Sequence, residues 1–178
     1  MAQRLIDQYE SEHRLGNRWG AHADTGVMAT GGRDRYRLAI DVDVPHDHFV
    51  KVQREDLEEM LGNLLDNAIR YAGHGARVTL RVTRQTMAML GDQAVLQVED
   101  DGPGIAVPER DAVFGRFYRG AAAAAAQDQD GSGLGLAIVR EIARVHGGTV
   151  VLSETPGGGL TVSVCLALAP TDAPTVSA

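Results

Sequence analysis

Asn63-Leu-Leu-Asp-Asn-Ala-Ile-Arg-Tyr71 sorts into two faces when wound as a helix. At about 100° per residue, Asn63, Asn67, Arg70 and Tyr71 fall within an arc of roughly 100°. Leu57, Leu61, Leu64, Leu65, Ala68 and Ala72 fall on the other side. Amide oxygens suit a hard cation such as Mg²⁺, a guanidinium suits phosphate oxygens, and an aromatic ring can flank a base. The polar face therefore has the donor set for a metal-bound nucleotide. A solvated Asn pair in a polar face needs no function, and Asn is a poor helix former. The two readings are separated by the rest of the chain.

Outward from this helix, predicted for Arg54 to Ala72 and ended by Gly73 and Gly75, the elements are regular. Upstream, Leu38, Ile40, Val42 and Val44 alternate with Arg37, Ala39, Asp41 and Asp43, a strand stopped by Pro45. Residues 1–16 read as a polar helix with a thin apolar stripe, and the Gly-rich residues 16–34 as a connector. Downstream, strands are expected at Arg77–Arg84 and Gln93–Glu99 with Gly91-Asp92 as the turn, then a short helix at Glu109–Phe114. A helix from Leu134 to Val145 and strands at Gly148–Glu154 and Leu160–Leu168 complete the order. This order predicts a mixed sheet with helices packed on one face, in the α/β class.

Three further motifs carry chemistry. Asp100-Asp-Gly-Pro-Gly-Ile105 follows the apolar strand Ala94–Val98. A carboxylate at a strand end, beside glycines that admit a ligand to the backbone, can accept a hydrogen bond from the exocyclic amine of a base. The same residues also make an ordinary turn. Gly131-Ser-Gly-Leu-Gly135-Leu136 opens a helix, where bare N–H groups and the helix dipole favour phosphate. Its spacing is not the dinucleotide fingerprint, and the P-loop's Gly-Lys-Ser/Thr occurs nowhere in the chain. Between them, Val113-Phe-Gly-Arg-Phe-Tyr-Arg119 offers aromatic anchors and two arginines that could reach phosphate, or an amphipathic turn packed on the core.

Composition sets limits. The chain has 178 residues and 44% apolar residues, enough for one domain with a core, and only 4% aromatic, so the core should be aliphatic. A net charge of −7 argues against nucleic acid or an anionic membrane as a direct partner. The single cysteine, Cys165, lies in an alternating run and reads as a small buried strand residue in a reducing compartment. No apolar stretch approaches the ~18 residues needed to cross a bilayer, and no signal peptide opens the sequence, which predicts a soluble chain.

The four motifs, in this order and with these separations, resemble the N, G1, F and G2 boxes of bacterial sensor histidine kinases. With His146-Gly-Gly and the closing strands, the resemblance covers about residues 36–168. It implies a two-layer α/β sandwich of the Bergerat type, shared with gyrase, heat-shock chaperone and mismatch-repair ATPases. It also implies a domain that binds ATP and Mg²⁺ and gives the γ-phosphoryl group to a histidine. By position, Asn67 with Asn63 would hold the Mg²⁺, and Arg70, where the family usually has Lys, would contact phosphate. Tyr71 would lie against adenine or ribose, and Asp100 would accept the adenine amino hydrogen. Gly102, Gly104 and Ile105 would shape that pocket, and Arg119 would reach the γ-phosphate. Gly131, Ser132, Gly133, Leu134, Gly135 and Leu136 would present backbone N–H groups to the phosphates. Asn63, Asn67 and Arg119 are thus the candidate catalytic residues.

The resemblance further implies three partners or settings: a histidine-bearing dimerisation domain of the same kinase, a downstream response regulator, and a cytoplasmic place as the cytosolic part of an inner-membrane sensor. Residues 1–35 would then be the end of a dimerisation segment and a connector, and 169–178 a frayed tail. Two departures stand out. The six alanines of Ala121–Ala126 belong to no family motif, and no phosphoacceptor box is present: His13 and His46 lack its remaining pattern, as do His22, His48, His74 and His146. Competing expectations are a hydrolysing ATPase, disfavoured because that class carries Glu where Asn63 stands, an anti-sigma-factor-type serine kinase, and a nucleotide-binding module without turnover.

Overall fold

The computed structural model describes residues 27–30, 37–43, 49–73, 75–89, 91–118 and 132–169. Strand β1 is Val27–Thr30, β2 Arg37–Asp43 and β3 Phe49–Val50; helix α1 is Arg54–Ala72. Strands β4, Arg77–Met87, and β5, Gly91–Asp100, follow, then two 3₁₀ turns at Val107–Glu109 and Ala112–Phe114. Helix α2, Gly135–Val145, leads to β6, Thr149–Glu154, and β7, Leu160–Ala169.

These strands form one mixed sheet in the order β1-β2-β4-β5-β7-β3, with β6 also paired to β7. β2 runs parallel to β4, the connection carrying α1 between them, and the other pairings are antiparallel. The period-two pattern decides which face is buried. Val78, Leu80, Leu96, Val98, Val162, Val164 and Leu166 join Met60, Leu61, Leu64, Leu65 and Ala68 of α1 and Val139 and Ala143 of α2 in one aliphatic core. Each fully buried aliphatic side chain contributes about 1.5–3 kcal/mol, so this face is the main source of stability. The opposite face carries polar cross-strand pairs, Arg81 to Glu99 at 2.6 Å and Gln97 to Ser163 at 3.1 Å.

α1 and the two-layer class match expectation; several boundaries do not. Val27–Thr30, expected within a connector, pairs with β2 as a strand, and the two-residue β3 is too short to leave a sequence pattern. β4 continues past Arg84 to Met87 because Asp92 pairs with Arg84 and accepts from Thr86 Oγ1, which carries the ladder to the hairpin tip. The expected helix at Glu109–Phe114 is instead a pair of 3₁₀ turns. α2 starts at Gly135, β6 at Thr149, and β7 extends to Ala169. The polar helix of residues 1–16, the Ala121–Ala126 run and residues 170–178 lie outside the described residues.

Candidate functional site

Asn63 and Asn67 lie on the half-buried flank of α1 that faces the start of α2. Asn63 Nδ2 donates to the Glu59 carbonyl at 2.8 Å, which leaves its Oδ1 turned toward Gly135. A Cβ on Gly135 would stand 3.0 Å from Asn67 Nδ2, 3.2 Å from Asn63 Oδ1 and 3.3 Å from Asn67 Oδ1, so the two amides converge on one point. α2 has no side-chain cap at its N-terminus, and its first intrahelical bond is Ile138 N–H to the Leu134 carbonyl at 2.9 Å. The N–H groups of Gly135, Leu136 and Ala137 precede that bond and have no carbonyl partner in the helix. An anion is favoured there by the dipole, directly beside two hard amide oxygens. Among the described residues no cluster of three or more His, Cys, Asp or Glu side chains could hold a metal ion. Two amides suit Mg²⁺, which keeps most of its ligands as water and phosphate.

The C-terminal end of α1 meets the turn after β5. Asp100 is 7% exposed, and its Oδ1 accepts from the N–H of Gly102 at 2.9 Å and of Leu160 at 3.2 Å. Burial pushes its carboxyl above the ordinary value, while those two N–H bonds pull the other way. The neighbouring Asp101 Oδ1 accepts from Arg77 N–H at 2.8 Å and fixes the turn on β4. Gly102 lies against α1: a Cβ there would be 2.6 Å from Ala72 Cα and 3.1 Å from the Tyr71 carbonyl oxygen. Gly104 abuts the Gly159 carbonyl, and Gly159 in turn abuts the Asp100 carbonyl so closely that a Cβ would overlap it. Tyr71 and Ile105 are half-buried at this turn, and Arg70 is exposed in the last turn of α1.

A third group of residues packs beside α2. The Phe117 N–H donates to the Gly133 carbonyl at 3.0 Å, which ties the turn after Phe114 to the segment that leads into α2. Phe114 is buried; Arg140 of α2 donates from Nη2 to its carbonyl at 3.2 Å and lies 4.8 Å over its ring. Tyr118 Oη donates to Glu109 at 3.2 Å. Phe117, by contrast, is 74% exposed with a φ of 64°.

Most of the expected residues therefore come together in two groups. Asn63, Asn67 and Gly135 meet beside the middle of α1, and Tyr71, Asp100, Gly102 and Gly104 at its C-terminal end, with about 7 Å of α1 between Asn67 and Ala72. Ser132 Oγ accepts from Leu134 N–H at 3.4 Å at the mouth of α2. Arg119 and Gly131 lie outside the described residues. Sequence reading missed Gly159 and Leu160, which complete the Asp100 cup; three consecutive glycines before a strand were the available signal. It also missed Arg140, which has no signal outside the fold.

Residues 52–170 match the family described as histidine kinase-, DNA gyrase B- and HSP90-like ATPase. The chain belongs to that family. This ATPase-family domain is 41% identical over 136 residues to sensor protein kinase PmrB of Pseudomonas aeruginosa, a match that covers 73% of the chain and 27% of PmrB. It is 44% identical over 103 residues to the histidine-protein kinase/phosphatase MprB of Mycobacterium tuberculosis, covering 58% of the chain and 19% of MprB. The chain thus spans about a quarter or less of the length of these relatives. A solved structure of a mycobacterial sensor histidine kinase MprB superposes with a TM-score of 0.69 at 27% identity, covering 94% of this chain and 93% of that one. The two-layer fold of the family domain agrees with the class read from the sequence. Among the described residues no helix is long and apolar enough to cross a membrane.

Proposed function

We propose that this family domain binds Mg·ATP and donates the γ-phosphoryl group to a histidine on a dimerisation domain, as the catalytic part of a two-component sensor kinase. The observation that carries this reading is the convergence of the Asn63 and Asn67 carboxamides on Gly135 at the uncapped start of α2. Adenine would sit at Asp100, with its amino group donating to Oδ2, to which no described residue donates. Tyr71, Gly102, Gly104 and Ile105 border that pocket. The chain's backbone from Gly131 through Ser132, Gly133, Leu134, Gly135 and Leu136 would hold the phosphates, joined by Arg70 and Arg119. Asn63 and Asn67 would hold a Mg²⁺ ion, which would supply charge neutralisation.

In the transfer, the acceptor imidazole nitrogen forms a bond to the γ-phosphorus as the bond to the β-phosphate oxygen breaks, releasing ADP. Such a step asks the protein for alignment and charge stabilisation rather than covalent help. Asn63 is a poor base for water, which favours holding ATP for an imidazole over hydrolysis. The partners are the acceptor domain of the same kinase and a response regulator, with the domain on the cytoplasmic side of an inner-membrane sensor; nucleic acid and direct membrane contact have no place in the reading.

The test is titration calorimetry with ATP, with and without Mg²⁺, followed by transfer of labelled phosphate to a supplied acceptor-helix domain. Saturable Mg-dependent binding and acid-labile, histidine-type phosphorylation are expected. Phosphoserine on the partner would replace this reading with a serine kinase. Gly135→Ala should weaken Mg·ATP binding by about tenfold, because the new methyl displaces both amides by tenths of an ångström and positioning errors are costly. Its neighbours are flexible side-chain ends and Ala suits a helix, so the melting temperature should stay within about 2 °C.

A further inference from the structure

His146, at the C-terminus of α2, and Asp56, in the first turn of α1, form a bond that the site as described does not use. His146 Nε2 donates to Asp56 Oδ2 at 2.6 Å, with the imidazole 12% and the carboxylate 32% exposed. α2 ends there in a closed turn: Gly147 N–H bonds the Arg144 carbonyl at 3.1 Å and Gly148 N–H the Ala143 carbonyl at 2.7 Å. The imidazole therefore projects from a fixed helix end.

The placement of this bond gives it a role. About 16 Å of α1 separates Asp56 from Asn67, and the same length of α2 separates Gly135 from His146. The helices are antiparallel, touching at Asp56–His146 and again at Asn67–Gly135. Between these points the interface is apolar: Met60 and Leu64 on α1, Val139 and Ala143 on α2, all buried. Apolar contact is non-directional and sets how tightly the helices pack, not their axial register. A hydrogen bond is directional and sets position along the axis.

We propose that His146 and Asp56 are a positioning pair that holds the register of α2 against α1, so that the phosphate-facing N-terminus of α2 stays over the Asn63 and Asn67 amides. This rests on the nucleotide-site reading. It assigns a role to the His-Gly-Gly segment, whose glycines make the turn while its histidine reaches across to the other helix. It also predicts an asymmetry, because the Asp100 cup is built from β5, β7 and the far end of α1 and does not depend on where α2 begins.

The test compares ADP with Mg²⁺ against adenosine, by calorimetry on the folded chain, for Asp56→Ala, His146→Ala, the double variant and Asp56→Asn. Each alanine variant is expected to weaken Mg·ADP binding five- to twentyfold while adenosine affinity changes less than twofold. The double variant should be no weaker than either single, and Asp56→Asn, whose amide oxygen still accepts from Nε2, should recover most of the loss. Asp56→Ala, at a partly exposed helix start, carries the test alone should His146→Ala not fold. In ligand-free protein the same variant should speed amide exchange at Ile138, the first bonded N–H of α2. ADP and adenosine affinities falling together, additive single effects, or unchanged Ile138 exchange would overturn the pair's role. A wild type that binds neither ligand would overturn the nucleotide reading, and Ile138 exchange would still decide the positioning claim.

Discussion

Asp100→Asn is expected to weaken ATP binding by about 10- to 100-fold while the ligand-free protein melts at the same temperature or higher. Oδ1 of Asp100 accepts from Gly102 and Leu160 N–H groups, and an Asn oxygen accepts equally well, so the cup should persist. The change falls on the second oxygen, which becomes an NH₂ donor and, in the proposed pocket, would face the donor amino group of adenine. Loss of a hydrogen bond to a charged group is worth about 1.5–3 kcal/mol, which gives the expected range. Stability should move the other way. Burial holds the Asp100 carboxyl above the ordinary value of 3.8, so the folded state binds that proton more tightly than the unfolded chain. The contribution of this group to stability is therefore fullest at low pH and declines as pH rises from the ordinary value through the raised folded one. The Asn variant has no such proton, so its melting temperature relative to wild type should climb across that window and then level off. Calorimetry with ATP and melting curves across pH measure both. Unchanged ATP affinity would remove Asp100 from the base pocket.

Helix α1 was legible in the sequence because two physical demands are written on one segment. The core demands aliphatic residues at helical spacing, met by Met60, Leu61, Leu64, Leu65 and Ala68. The proposed chemistry demands Asn63 and Asn67 on the flank, where an ordinary helix would carry Lys and Glu. Asp100 was legible as a site candidate because a charged residue ends an apolar strand. That the carboxylate is buried and doubly bonded by backbone was not, because Leu160 is far along the chain and donates only through its N–H. Backbone donors carry no side-chain signature. The role of Arg140 was hidden for a similar reason: its partner is the carbonyl of Phe114. His146 read as unassigned because its partner, Asp56, lies near the start of a different helix. Polar residues that act within an element were readable, and those that join elements were not.

The boundary errors follow the same division. β4 outruns its apolar pattern because Arg84, Thr86 and Asp92 extend the hairpin through side-chain bonds rather than burial. β1 and β3 are held by pairing to β2 and β7, and a short strand's pairing partner is absent from its own composition.

Gly159→Ala should be the most destabilising single change at the site, costing about 2–6 kcal/mol. Two effects combine. Gly159 has a φ of 104°, which a residue with a Cβ adopts at a cost of about 1–3 kcal/mol. The added methyl would also overlap the carbonyl of Asp100, and a backbone carbonyl in a sheet cannot swing aside as a side chain can, which adds about 1–3 kcal/mol of overpacking. Gly158 separates the two effects. Its φ is 106°, yet nothing lies within 4 Å of the position a Cβ would take. Gly158→Ala should therefore show the backbone cost alone, lowering the melting temperature by roughly 2–12 °C, with Gly159→Ala lower by a similar further step. The two should differ in function as well. Displacing the Asp100 carbonyl moves its side chain and loosens the cup, so Gly159→Ala should also weaken adenosine binding, whereas Gly158→Ala should leave that affinity intact. Thermal melts and adenosine titrations of the two variants, run side by side, decide the matter. Equal melting temperatures with equal affinities would mean that the glycine loop does not buttress Asp100.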